Sequence, residues 1–120
     1  HVLALKNEDF SRDIRVVKAM NEDSLIAHET QPFATMAAIV HADERIKTAF
    51  PQITLPLLIL HGSADRVAKP TGSRYFYEHA GSRDRTLKFY EGRYHDPLND
   101  LGKEEVFADI NAWIETRLPK

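Results

Sequence analysis

The sequence predicts an α/β fold in which helices come first and a strand–helix–strand–helix unit follows, with the two strands parallel. Three observations carry this. Leu55-Pro56-Leu57-Leu58-Ile59-Leu60 is a continuous apolar run, bounded at its end by His61-Gly62-Ser63, which is the pattern of a strand covered on both faces. Thr86-Leu87-Lys88-Phe89-Tyr90 alternates and is rich in β-formers, so it reads as a second strand. The stretch between them is long enough for a helix, and a strand–helix–strand unit of this length implies parallel strands joined by a right-handed crossover.

Taken in order, the elements are these. From Glu8 to about Met20 the apolar residues Phe10, Ile14, Val17 and Met20 fall three to four apart, which predicts an amphipathic helix. A second helix is expected after Pro32, with Phe33, Met36, Ala37, Val40, Ile46 and Phe50 on its inner side, ended by Pro51 and the turn-forming residues up to Thr54. Pro56 is acceptable in the first strand only near its start, where no ladder hydrogen bond need be lost. A third helix is expected from about Thr71 to Ala80, with Gly81 as its C-cap. The last runs from about Lys103 to Leu118, where Val106, Phe107, Ile110, Trp113 and Ile114 recur at helical spacing and Trp113 and Ile114 are expected to anchor it on the core. Two parallel strands make an incomplete sheet. The apolar strand calls for a neighbour at each edge, and these residues supply only part of that.

Composition narrows the classes of function. The 120 residues are 42% hydrophobic and 28% charged, ordinary values for a globular protein of one domain. A net charge of -2 offers no basic field for a phosphate backbone, so no nucleic-acid partner is expected. There are no cysteines, which excludes disulfides, thiolate metal sites and a cysteine nucleophile. The six histidines include no pair at metal-ligand spacing, and no Gly-rich phosphate loop is present, so neither a metal nor any other cofactor is expected. No apolar run approaches the roughly 18 residues of a membrane helix. The opening patch His1-Val2-Leu3-Ala4-Leu5 is too short for a signal-peptide core. A cytoplasmic or membrane-peripheral location is the expectation.

Chemistry concentrates at the two strand ends. In an open α/β sheet, functional groups cluster in the loops beyond the carboxyl ends of the strands. Asp65 lies in that position after the first strand and His95 in the equivalent loop after the second. Singly, Asp65 reads as a turn or capping carboxylate and His95 as a loop histidine. Together they place an acid and an imidazole on one rim, as a Ser–Asp–His triad requires: the carboxylate holds Nδ1–H and leaves Nε2 to take the proton of a serine. Asp before His is the chain order of such a triad. Its serine, in a Gly-x-Ser-x-Gly elbow, is not found; Ser63, Ser73 and Ser82 each follow a glycine but lack the pattern and read as turn or first-turn residues. The nucleophile is therefore expected outside these residues. Arg93 and Tyr94 are expected to shape the His95 loop.

These motifs resemble those of a known family. Leu55-Pro56-Leu57-Leu58-Ile59-Leu60-His61-Gly62-Ser63-Ala64-Asp65-Arg66-Val67 and Leu87-Lys88-Phe89-Tyr90-Glu91-Gly92-Arg93-Tyr94-His95 are similar to segments of the monoacylglycerol lipase and lysophospholipase (serine aminopeptidase S33-like) group of α/β-hydrolases. The helix around Asp109-Ile110-Asn111-Ala112-Trp113-Ile114 resembles the group's last helix, and Ser11-Arg12-Asp13 with Asn21-Glu22-Asp23-Ser24-Leu25 its cap region, where Pro often stands in place of Ser24. The resemblance implies the C-terminal portion of an α/β-hydrolase fold, with residues 1–50 as cap or lid helices and 51–120 as the C-terminal half of the catalytic domain. It implies Asp65 and His95 as triad acid and base, and an apolar acyl channel lined by Phe33, Met36, Ile39 and Val40, which from the pattern alone read equally as core. A small ester or lipid substrate would follow, as would association with the missing N-terminal half or a second copy of the chain. A non-catalytic binding or scaffold domain of hydrolase ancestry is the rival from another class, and a peptidase or small-ester esterase the rival within the fold.

Overall fold

The computed structural model describes residues 5–26 and 32–119. Residues 1–4 of the opening apolar patch and residues 27–31 of the expected cap lie outside them. The described elements are a short 3-10 turn (Asn7–Asp9), α1 (Ile14–Glu22), α2 (Phe33–Ala49), a second 3-10 turn (Phe50–Gln52), β1 (Leu57–Gly62), α3 (Pro70–His79), β2 (Arg85–Tyr90) and α4 (Lys103–Glu115). β1 and β2 pair in parallel, with Leu57 opposite Arg85 and Gly62 opposite Tyr90.

The side chains sort the helices onto opposite faces of this ribbon. On one face His61 reaches Ser73 of α3, and Arg74 and Tyr77 of α3 stack with Phe89 and Arg85 of β2. On the other, Lys88 and Tyr90 bond Asp109 of α4, and Lys88 also bonds Glu105. A layer of helix, sheet and helix results, because successive residues of a strand point to opposite sides. The Asp109 carboxyl is held below its ordinary value by the bonds from Lys88 and Tyr90. Burial, the Asp109 bond and the neighbouring acids raise the Tyr90 phenol well above its own.

Four local expectations are corrected. The apolar stripe from Phe10 to Met20 is not one helix. The chain breaks at 10–13 because Ser11 and Arg12 turn to partners far along the chain, and helix resumes only where the Asp13 carboxylate accepts the Arg15 N–H as an N-cap. Gly81 is not a left-handed C-cap. α3 ends on Ala80 in extended conformation, and Gly81 is small for another reason: a Cβ there would stand 2.0 Å from the carbonyl oxygen of Pro51. Ile114 does not anchor α4: it is exposed, Trp113 is half-buried, and Val106 is the helix's fully buried residue. The apolar strand is also less covered than its composition implies. Ile59 and Gly62 are buried while Leu57, Leu58 and Leu60 are half-buried, as fits a strand paired on one edge only.

Among the described residues the buried apolar set is small, consisting of Phe50, Ile59, Ala80, Tyr90 and Val106. Phe50 packs against Phe76 with ring centroids 4.5 Å apart, so the turn after α2 is pinned to α3. Truncating Val106 to Ala removes two methyl groups from a site with no solvent access. A loss of about 2 kcal/mol is expected, read as a lower urea midpoint at unchanged m-value.

Candidate active site

Both strands end where their loops can be laced together. β1 ends on Gly62, and a Cβ at that position would lie 2.2 Å from the Tyr94 carbonyl oxygen and 2.3 Å from that of Arg93. Only glycine lets the loop after β2 lie across the end of β1. That approach is secured by three hydrogen bonds: Ser63 N–H to Tyr90 O at 2.8 Å, Ala64 N–H to Arg93 O at 3.0 Å, and Gly92 N–H to Ser63 Oγ at 2.8 Å. Gly92 turns the chain with φ of 67°, the left-handed region that glycine enters without penalty. The result brings Asp65 and His95, thirty residues apart, into contact: His95 Nδ1–H donates to Asp65 Oδ2 at 2.9 Å.

The carboxylate is enclosed. The Asp65 side chain is 1% exposed, and its other oxygen, Oδ1, accepts from the backbone N–H groups of Val67 at 2.8 Å and Ala68 at 2.9 Å. Burial pushes its carboxyl pKa up, but the hydrogen bonds from Ala68, His95 and Val67 outweigh that and hold it below the ordinary value of 3.8. Asp65 is therefore an anion at neutral pH. Opposite it, the His95 side chain is 35% exposed, and among the described residues its Nε2 has no hydrogen-bond partner. The ring is steadied by Phe10, which meets it edge-on at 5.1 Å. A neutral imidazole with its proton fixed on Nδ1 presents Nε2 as a base, and a buried anion behind it stabilises the imidazolium formed when Nε2 takes a proton. Among the described residues no three His, Cys, Asp or Glu side chains converge as a metal site needs.

Two groups hold this loop, and the first of them was not found from sequence. Asp100, whose side chain is fully buried, accepts from Tyr94 N–H at 3.1 Å, Leu101 N–H at 2.8 Å, Arg12 N–H at 2.7 Å and Arg12 Nε at 2.9 Å. Nearby, Ser11 Oγ donates to Asn99 O and Asp96 N–H to Phe10 O. Residues 10–12 thus form a strap across the base of the His95 loop. In sequence Asn99-Asp100-Leu101-Gly102 reads as a turn, and nothing marks a partner 88 positions away. The second group is the expected Arg93, buried over the Tyr90 ring and bonded to Glu105. It runs beside Gly102, where φ is 79° and a Cβ would stand 2.9 Å from the guanidinium. Tyr94 is stacked under Arg66 at 4.9 Å.

The residues expected to line a channel are not enclosed. Phe33, Ile39 and Val40 on α2 are 66%, 53% and 55% exposed, and Met36 is half-buried. The glycine-preceded serines are engaged elsewhere: Ser63 in the lacing of the loops, Ser73 with His61, and Ser82 with the Asp84 carbonyl.

Each Asp100 carboxylate oxygen accepts two of the four N–H groups. Asp100→Asn turns one of those oxygens into a donor facing its two N–H groups, and a loss of about 2–3 kcal/mol is expected by urea unfolding at pH 7. Burial raises the Asp100 carboxyl, yet its bonds from Tyr94, Arg12 and Leu101 hold it below 3.8. A depressed folded value means the contribution is full above the unfolded value and is lost as pH falls through the folded one. The gap between wild type and Asp100→Asn should therefore be constant from about pH 7 to 5 and close below about pH 4.

The chain is similar to known proteins over most of its length. Residues 2–102 match the family model described as serine aminopeptidase, S33. The chain is 36% identical over 110 residues to the monoglyceride lipase of Rattus norvegicus, covering 90% of this chain and 36% of that protein. It is 37% identical over 89 residues to the caffeoylshikimate esterase of Arabidopsis thaliana, covering 72% of this chain and 27% of that protein. The crystal structure of the monoacylglycerol lipase of Paleococcus ferrophilus superposes with a TM-score of 0.87 at 28% identity, over 98% of this chain and 47% of that one. The chain thus spans about a third of the length of the curated relatives it matches. On the family match over residues 2–102 and the likeness of fold, this chain belongs to the serine aminopeptidase S33 family of α/β-hydrolases.

Proposed function

We propose that this chain supplies the acid and the base of a serine ester hydrolase of the monoacylglycerol lipase or lysophospholipase type, whose nucleophile lies outside these 120 residues. The observation that carries the reading is the 2.9 Å bond between His95 Nδ1 and the buried carboxylate of Asp65, at the laced ends of two parallel strands. In the complete enzyme, His95 Nε2 takes the proton of the serine hydroxyl as it attacks the ester carbonyl. The same nitrogen then returns the proton to the leaving alcohol. Water repeats the sequence on the acyl-enzyme and releases the fatty acid. Asp65 keeps the tautomer and stabilises the transient imidazolium.

The exposed apolar side chains of α2 support a lipid substrate: Phe33, Met36, Ile39 and Val40 would form one wall of an acyl channel closed by the rest of the protein. The half-buried leucines of β1 support a further strand, from the N-terminal half or from a second copy, on its open edge. A small polar ester is the second reading, favoured by the similarity to caffeoylshikimate esterase.

The test is labelling with a fluorophosphonate probe, read by intact mass, on the chain alone and after co-expression with the upstream segment of its gene. No adduct on the chain alone and one on the upstream segment is the expected result. His95→Ala and Asp65→Asn should then lower kcat by about 10³–10⁴-fold. An adduct on the chain itself would make one of its own serines the nucleophile and overturn the proposal. Folding and co-assembly without any adduct would indicate a scaffold. A series of acyl chain lengths separates the lipid from the small-ester reading, with activity rising with chain length for the former.

A further inference from the structure

A second histidine touches the same carboxylate. His61, the last residue but one of β1, has its Nε2 3.0 Å from Asp65 Oδ2, the oxygen that also receives His95 Nδ1–H at 2.9 Å. Its own hydrogen bonds run elsewhere: Nε2 is 3.1 Å from the Ala68 carbonyl oxygen, and Nδ1 is 2.7 Å from Ser73 Oγ on α3. The neighbours settle the tautomer. Both groups at Nε2 are acceptors, so that nitrogen carries the proton and donates to Ala68 O, while Nδ1 accepts from the Ser73 hydroxyl. The ring is mostly buried, its side chain 12% exposed, with the Phe89 ring packed edge-on at 6.2 Å.

These bonds close a circuit around the acid. Ala68 gives its N–H to Asp65 Oδ1 and its carbonyl to His61. His61 is in turn tied to the start of α3 through Ser73. The backbone cradle of the carboxylate is thus held from its far side by an imidazole, and that imidazole stands against Oδ2, where it blocks rotation of the carboxylate away from His95. Nothing in the proposed reaction uses His61 directly, and a residue serving only to fill space would need neither of these bonds.

We propose that His61, braced by Ser73, is a positioning residue for the acid–base pair, acting through the Ala68 peptide to keep Asp65 aimed at His95. Its bearing on catalysis rests on the ester-hydrolase reading above; the positioning itself does not.

The test uses the 120-residue chain labelled with ¹⁵N-histidine, following the low-field Nδ1 proton of His95 and its exchange with water. In His61→Leu, which keeps the bulk and loses both bonds, that exchange should quicken by about tenfold or more through local opening of the Asp65–His95 bond, broadening the signal away. His61→Gln, whose amide can donate to Ala68 O and accept from Ser73, should restore it. Ser73→Ala, which removes one tether, should give an intermediate rate, and it decides the matter if His61→Leu fails to fold. A His95 proton as protected in His61→Leu as in wild type overturns the proposal. So does a Gln variant no better than Leu, or a Ser73→Ala variant unchanged. No nucleophile is needed for this readout, so its failure leaves the hydrolase reading standing, and failure of the fluorophosphonate test leaves this one standing.

Discussion

A carboxylate buried at the end of a sheet must be surrounded by donors, because an ion removed from water without them would be neutralised instead. Asp65 meets that demand with two backbone N–H groups from its own loop and one imidazole N–H from the next. Much of the surrounding architecture follows from it. The loop after β1 must curl tightly enough to bring Val67 and Ala68 back onto Oδ1, and the loop after β2 must cross the end of β1 to bring His95 onto Oδ2. The second condition is steric, and Gly62 satisfies it by having no side chain.

The His95 loop has no regular secondary structure, yet it is held at each end. Arg93 fixes its start through Tyr90 and Glu105, and Asp100 fixes its base through Tyr94 and Arg12. The second anchor joins the N-terminal segment to the His95 loop. Phe10 meets the His95 ring while Ser11 and Arg12 bond the residues just beyond it. A displacement of the segment before α1 would thus be felt at the imidazole through direct contacts.

Much apolar surface is left uncovered by comparison with this polar care. β1 is apolar along its length but paired on one edge, and α2 presents Phe33, Ile39, Val40 and Ile46 to solvent. Burial at about 25 cal/mol per Å² makes such surface costly to leave in water. The chain spans about a third of the length of the curated relatives it matches, and the described residues leave this surface without cover.

The helix after Pro32, both strands, their parallel direction and the strand-end positions of Asp65 and His95 were legible in the sequence. Each is signalled by local periodicity or by a run of apolar residues with turn chemistry at its ends. The break at 10–13, the true reason for Gly81, and the roles of Asp100 and His61 were not legible. Those depend on partners distant in sequence: Arg12 and Asp100 lie 88 positions apart, and Gly81 is constrained by a carbonyl of Pro51. Sequence alone determined which residue types could carry acid and base chemistry and on which rim of the sheet they would stand. Only the tertiary structure decided that the two meet at hydrogen-bonding distance, because that rests on one loop lying flat against another's strand, a fit set by backbone contacts that no local pattern encodes.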